Sequence, residues 1–197
     1  MTATIVFVGD SVTDCDRRND PSGLGHGYVR LIADRYPHLK FANRGIGGNR
    51  VRDLHARWNE DVLAEEPTLV SILVGVNDTW LRYLDDDPTS VEAFAEDYRS
   101  LLAPLVERGA RIVLVEPFLL PIDDLQRSWR AEDLVAKIAT VRELAEEFGA
   151  TLVPADGALN TAGEPSELAP DGVHPSAAGH QLLAELWVAT AGALLNA

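Results

Sequence analysis

The chain has 197 residues, with 31 acidic against 17 basic residues and a formal net charge of −14. Phosphate backbones and anionic lipid surfaces are bound by clustered Lys and Arg, so neither nucleic acid nor membrane is an expected partner. An apolar fraction of 46% and a charged fraction of 24% are ordinary for a globular protein. The length fits one domain over 1–197 with a sizeable core. Cys15 is the single cysteine, which excludes an intrachain disulfide and fits a reducing compartment. The first residues carry no basic segment followed by a long apolar run and a small-residue cleavage site. No apolar stretch approaches the length of a membrane span. The expected location is cytoplasmic.

In chain order, Thr4–Val8 is a short, apolar, β-branched run that reads as a buried strand, closed by Gly9-Asp10-Ser11. Tyr28–Tyr36 has helical spacing and is stopped by Pro37. Lys40–Asn43 is a weaker strand and leads into the polar stretch Asn43–Asn49. Arg50–Leu63 carries Val51, Leu54, Trp58 and Val62 at helical spacing, and Trp58 reads as core. Leu69–Val74 is a strong strand followed by Gly75-Val76-Asn77-Asp78. Leu84–Pro88 reads as a charged, solvated turn. Val91–Arg108 is a helix with Gly109 as its stop. Arg111–Val115 is a strand, and Pro121–Asp124 a second solvated turn. Arg130–Phe148 is a helix ending at Gly149. Thr151–Val153 is the last strand, and Ser176–Leu195 the last helix.

Near-continuous apolar strands alternating with amphipathic helices predict an α/β sandwich around a parallel sheet. Three polar loops follow directly on predicted strands. In open parallel sheets ligands bind outside the carboxyl ends of the strands, so these loops should meet at one edge.

Taken alone, Ser11 is most simply a helix cap. A nucleophilic serine needs a base and a group that orients the base. Among the five histidines, His38 and His55 fall in surface contexts and His180 lies inside the last helix. His174 precedes Pro175, which keeps its backbone extended at a helix entrance. Asp171 stands three residues earlier, with Gly172 permitting a tight turn between them. Acyl transfer also needs N–H donors for the developing oxyanion. The Ser11 N–H, the Gly48 N–H and the Asn77 side chain are the candidates. Asp10, Asp14 and Asp78 read as caps or loop braces. A flavin or nucleotide module is disfavoured, because the loop after the first strand carries Asp10 and no glycine-rich phosphate cradle.

The blocks Gly9-Asp10-Ser11-Val12-Thr13-Asp14, Asn43-Arg44-Gly45-Ile46-Gly47-Gly48, Gly75-Val76-Asn77-Asp78 and Asp171-Gly172-Val173-His174-Pro175 together resemble the SGNH (GDSL-type) hydrolase superfamily. That resemblance implies a three-layer, flavodoxin-like α/β/α sandwich with about five parallel strands. It implies Ser11, His174 and Asp171 as catalytic residues, and Ser11, Gly48 and Asn77 as the oxyanion hole, with no metal and no cofactor. No Gly-x-Ser-x-Gly elbow is present, so the α/β-hydrolase fold is not supported. Asn49–Leu54, Ala56-Arg57-Trp58 and Val76–Trp80 are further similar to the intracellular acetylxylan esterase branch. Gly47, Arg50 and Pro170 depart from that branch near the pocket. The implied partner is a small-molecule ester, an acetylated sugar, with Asn49, Arg50 and Trp80 as substrate contacts. Trp80 is equally readable as packed core. A lysophospholipase or thioesterase of the same superfamily and a non-catalytic carbohydrate-binding protein remain the alternative readings. Oligomeric state stays open, a homo-oligomer included.

Overall fold

The computed structural model describes residues 3–196. Five strands, β1 (Thr4–Gly9), β2 (Lys40–Gly45), β3 (Leu69–Leu73), β4 (Arg111–Val115) and β5 (Thr151–Val153), form one sheet in the order β2-β1-β3-β4-β5. Every pairing is parallel. The order reverses at β1, so the carboxyl ends of β2, β1 and β3 make a crevice there. The helices are α1 (Ser11–Asp14), α2 (Tyr28–Arg35), α3 (Val51–Asp61), α4 (Val76–Leu84), α5 (Val91–Glu107), α6 (Asp124–Trp129), α7 (Val135–Glu147), α8 (Ala155–Ala162), α9 (Pro165–Leu168) and α10 (Ala177–Ala191).

Strand alternation divides the core into two layers. Ile5, Phe7, Leu69, Leu73, Val113 and Val115 face Tyr28, Val29 and Ile32 of α2 and Leu183 and Trp187 of α10. Val6, Val8, Val70, Ile72, Ile112 and Leu114 face α3, α5 and α7, where Trp58 packs as core. Ser71 is fully buried inside the sheet, and its hydroxyl accepts a hydrogen bond from Trp187 Nε1 at 2.9 Å. A third, smaller cluster lies near the carboxyl edge. It joins Val76 of α4, Leu119, Trp129 of α6, Leu134, Ile138 of α7 and Val173.

Four local expectations need correction. Gly75-Val76-Asn77-Asp78 is expected as a polar loop after β3, but Val76–Asp78 forms the first turn of α4. Pro121–Asp124 is not simply a solvated turn, because Asp123 caps α6 by accepting from the Gln126 N–H at 2.8 Å. Helix α6 then continues through a π-helical turn, Arg130–Leu134, into α7, so the helix expected from Arg130 has no independent start. In Leu84–Pro88, Asp87 is tied by ion pairs to Arg50 and Arg52 at 2.7 Å each.

Candidate active site

Ser11 opens α1 directly beyond β1. The buried Asp10 caps this short helix, with Oδ1 accepting from the Val12 N–H at 3.0 Å. Asn43, buried at the end of β2, braces the segment that follows Ser11. Its amide donates to the carbonyls of Thr13 at 2.6 Å and Leu24 at 2.8 Å. Ser11 is therefore held from both sides while its hydroxyl stays partly open to solvent.

The loop before α10 supplies the partners. Asp171 Oδ1 accepts from the Val173 and His174 N–H groups at 2.9 and 2.7 Å, which folds the loop back on the carboxylate. Oδ2 lies 2.6 Å from His174 Nδ1. A neutral imidazole whose Nδ1–H donates to Asp171 leaves Nε2 as an acceptor. That nitrogen lies 2.8 Å from Ser11 Oγ, so the hydroxyl donates to it. Partial burial pushes the Asp171 carboxyl up, but the hydrogen bonds from the His174 ring, the His174 N–H and the Val173 N–H outweigh it. The carboxyl is held below its ordinary range and is ionised at neutral pH. Both side chains are half exposed, 51% for His174 and 49% for Asp171, so the line of groups lies at the protein surface.

The oxyanion donors expected from the sequence sit at the ends of three adjacent strands. Gly48 has φ +80, and a Cβ there would meet nothing within 4 Å, so its peptide borders open space. Gly47 lies against Ser11, with its Cβ position 3.7 Å from the Ser11 Cβ. Asn77, near the start of α4, donates from Nδ2 to the Asn49 carbonyl at 3.0 Å. The Asn77 amide has a second N–H, which that bond does not use.

The structure separates the three expected substrate contacts. Trp80 stays with the reacting groups, its ring centroid 6.2 Å from that of His174. Asn49 and Arg50 do not. Asn49 Oδ1 accepts from Arg57 Nε at 2.9 Å. Arg50 is buried at the start of α3, where its backbone N–H donates to Asp53 at 2.8 Å; its guanidinium donates to the Asp87 carbonyl at 3.2 Å and to the Asp87 carboxylate. In this structure both side chains bond within the protein and hold the loop that carries Gly48. Pro170, the third departure, is exposed beside Asp171.

Sequence reasoning missed Arg57. It donates to the carbonyls of Arg44 at 2.7 Å and Gly9 at 3.2 Å and pairs with Asp61, stitching the ends of β1 and β2 to α3. His180, inside α10, is buried. His180 Nδ1 accepts from the Tyr28 N–H at 3.2 Å, so the ring proton is on Nε2, which donates to Cys15 Sγ at 3.4 Å. Burial, and secondarily the charge of His174, lowers this imidazole to about 4. It is a neutral structural group and no base for Cys15. Among the described residues no group of His, Cys, Asp and Glu could hold a metal ion, and no helix is long and apolar enough to cross a membrane.

Known proteins share this geometry's framework. An acetylxylan esterase of Geobacillus stearothermophilus is 36% identical over 95% of this chain and 93% of its own. The solved structure of a catalytic mutant of an acetylxylan esterase from that organism superposes with a TM-score of 0.86 at 33% identity, covering 98% of this chain and 96% of that one. A GDSL-like lipase structure from Parabacteroides merdae gives 0.88 at 34% identity, covering 96% and 95%. The family model of GDSL-like lipases and acylhydrolases matches residues 7–182, from within β1 to within α10 and so through every loop described above. With its fold, its aligned serine, histidine and aspartate and its relatives in agreement, the chain belongs to the GDSL-like lipase/acylhydrolase family of carboxylic ester hydrolases.

Proposed function

We propose that the chain is a serine esterase that removes acetyl groups from xylo-oligosaccharides, and that Ser11, His174 and Asp171 carry the reaction. The observation that bears most weight is the continuous line from Ser11 Oγ to His174 Nε2 at 2.8 Å and from His174 Nδ1 to Asp171 at 2.6 Å. These are distances over which a proton passes from nucleophile to base.

In this reading the Ser11 oxygen attacks the ester carbonyl while its proton moves to His174 Nε2. Asp171, ionised, keeps the ring in the productive tautomer and stabilises the imidazolium. The Ser11 and Gly48 N–H groups and the free Asn77 N–H receive the oxyanion. Collapse of the tetrahedral intermediate breaks the bond to the sugar oxygen, which takes the proton from His174. Water then attacks the acetyl-serine with His174 again as base, and acetate leaves. The surface position of the reacting groups leaves room for a bulky sugar leaving group, and Trp80 beside His174 offers a face on which a sugar ring can stack. The likeness to an acetylxylan esterase supports xylan-derived acetyl esters as the substrate class. The single cysteine, with no intrachain disulfide to form, is compatible with a cytoplasmic setting.

The test measures acetate released from acetylated xylo-oligosaccharides by the wild type and by Ser11→Ala, alongside p-nitrophenyl acetate and octanoate. Turnover that vanishes in Ser11→Ala and favours acetate over octanoate is expected. Faster turnover of the octanoate would overturn the acetyl reading, and Ser11-independent turnover would overturn the mechanism.

A further inference from the structure

Helix α6 carries a polar residue that none of the catalytic motifs contains. Gln126 is only 8% exposed and lies behind the Asp171–His174 loop. Its amide is committed at both ends. Oε1 accepts from the Ile122 N–H at 3.0 Å, and Nε2 donates to the Asp171 carbonyl at 2.7 Å. Gly172, at φ +85, lays its backbone against the same amide, and a Cβ there would collide with it. The next carbonyl, that of Gly172, accepts from the Leu120 N–H at 2.8 Å. One turn further along α6, Trp129 faces Trp80 at 6.3 Å, and Trp80 in turn faces His174. A single short helix thus touches the acid–base loop from behind and reaches the imidazole through an aromatic neighbour. The helix is itself anchored at both ends, by the Asp123 cap and by the ion pair of Arg130 with Asp156.

We propose that Gln126 is a positioning residue for the reaction. Its bond to the Asp171 carbonyl sets how the Asp171 carboxylate meets His174 Nδ1, and so where His174 Nε2 points relative to Ser11. The inference rests on the serine esterase reading above. Its physical basis is that Asp171 sits on an exposed loop, while both its carboxylate oxygens are used within that loop. Something outside the loop must fix its tilt against the sheet, and Gln126 and Leu120 are the groups that bond its backbone there. The Gln126 amide offers a donor to Asp171 and an acceptor to Ile122 at once.

The test compares Gln126→Met and Gln126→Ala with the wild type. Gln126→Met is the informative variant: it keeps the length of the side chain but removes the donor to the Asp171 carbonyl and has no ionisable group. The readouts are kcat and KM on p-nitrophenyl acetate, the melting temperature, and the downfield proton resonance of the His174–Asp171 hydrogen bond. Both variants are expected to lose about 10- to 100-fold in kcat, since small misplacements of reacting groups cost this much, with KM little changed. The downfield resonance should broaden or disappear. Gln126→Met with wild-type kcat and an intact resonance would overturn the proposal. So would losses that only track the fraction of unfolded protein. If the wild type shows no Ser11-dependent turnover, the esterase reading fails on its own, and the resonance still reports whether the tether positions the pair.

Discussion

Asn77 donates to the Asn49 carbonyl at 3.0 Å, and this bond ties helix α4 to the loop that carries Gly48. Asp78, the next residue, accepts from the Val51 N–H at 3.3 Å. Two neighbours on α4 thus grip the backbone on either side of Arg50. The Gly48 peptide is set by contacts made before any substrate arrives. Donors fixed in advance need no reorganisation as charge develops, and that is the source of their catalytic effect.

Asn77→Ala removes both the tether and the side-chain donor. Loss of one oxyanion donor costs about 10²–10³ in kcat, and a fall of that order is expected with little change in KM. Asn77→Asp keeps the shape but offers oxygens where the oxyanion would form, so it should be at least as damaging. Steady-state kinetics on p-nitrophenyl acetate decide it. A raised KM with unchanged kcat would remove Asn77 from the transition state.

Gly48 and Gly47 make a contrasting pair. A Cβ at Gly48 would meet no atom within 4 Å, so the obstacle to a side chain there is the backbone at φ +80. Alanine pays about 1–2 kcal/mol in that conformation, and the loop can escape the strain by turning the peptide. Gly48→Ala should therefore reduce kcat strongly while the melting temperature changes by only a few degrees. At Gly47 the Cβ would sit at an ordinary 3.7 Å from Ser11, so Gly47→Ala should retain most of the activity. Equal losses in the two variants, read by parallel kinetics and thermal melts, would contradict this assignment.

The strands and the reacting groups were legible because both are written locally. Thr4–Val8 and Leu69–Val74 are apolar, β-branched runs, and Ser11, Gly48 and Asn77 follow strands in sequence as they do in space. Asp171 and His174 reach each other across one turn. What was not legible depends on contacts between distant segments. Arg50 and Asn49 flank Gly48 in the chain, yet their side chains run to Asp87 and Arg57. Gln126 reads as an ordinary polar position until α6 is seen against the Gly172 turn. Helix α4 begins inside the polar stretch Gly75–Asp78 that reads as a loop, and α6 has only six residues; Val76 of α4 and Trp129 of α6 pack with Val173 in one cluster.

Two buried carboxyl groups beneath the site should make stability depend on pH. Burial drives Asp78 up to about 7, opposed by the Val51 N–H and by the charges of Lys137 and Arg50. Burial likewise drives Asp10 up to about 7, opposed by the Val12 N–H and by His174. Each folded-state value lies above 3.8, the ordinary value of an aspartate carboxyl, so the folded protein keeps protons that the unfolded chain has released. Their stabilisation is complete below the unfolded value and is lost as pH rises through about 7. His180 acts in the opposite sense. Its folded value of about 4 lies below 6.5, so its contribution is lost as pH falls through that interval. Asp78→Asn removes one carboxyl while keeping an oxygen for the Val51 N–H. Its melting temperature should exceed that of the wild type near pH 8, and the gap should close towards about pH 5. A gap that is constant across this range, in calorimetric scans, would mean that Asp78 does not titrate there.

Trp80 raises the question of whether an aromatic beside His174 serves the imidazole or the sugar. Its ring lies 6.2 Å from His174 and 6.3 Å from Trp129, and it is only partly buried, so it has one packed side and one open one. A sugar stacked on the open side would be lost in Trp80→Ala. An aromatic contact of about 1.4 kcal/mol corresponds to a tenfold rise in KM for an acetylated xylo-oligosaccharide. A small alkyl acetate cannot use that face, so its KM should stay unchanged. Trp80→Phe keeps a ring against His174 and should recover most of kcat on both substrates. If Trp80→Ala instead lowers kcat equally on both and leaves both KM values alone, the ring acts through His174, and sugar recognition must come from elsewhere around the site.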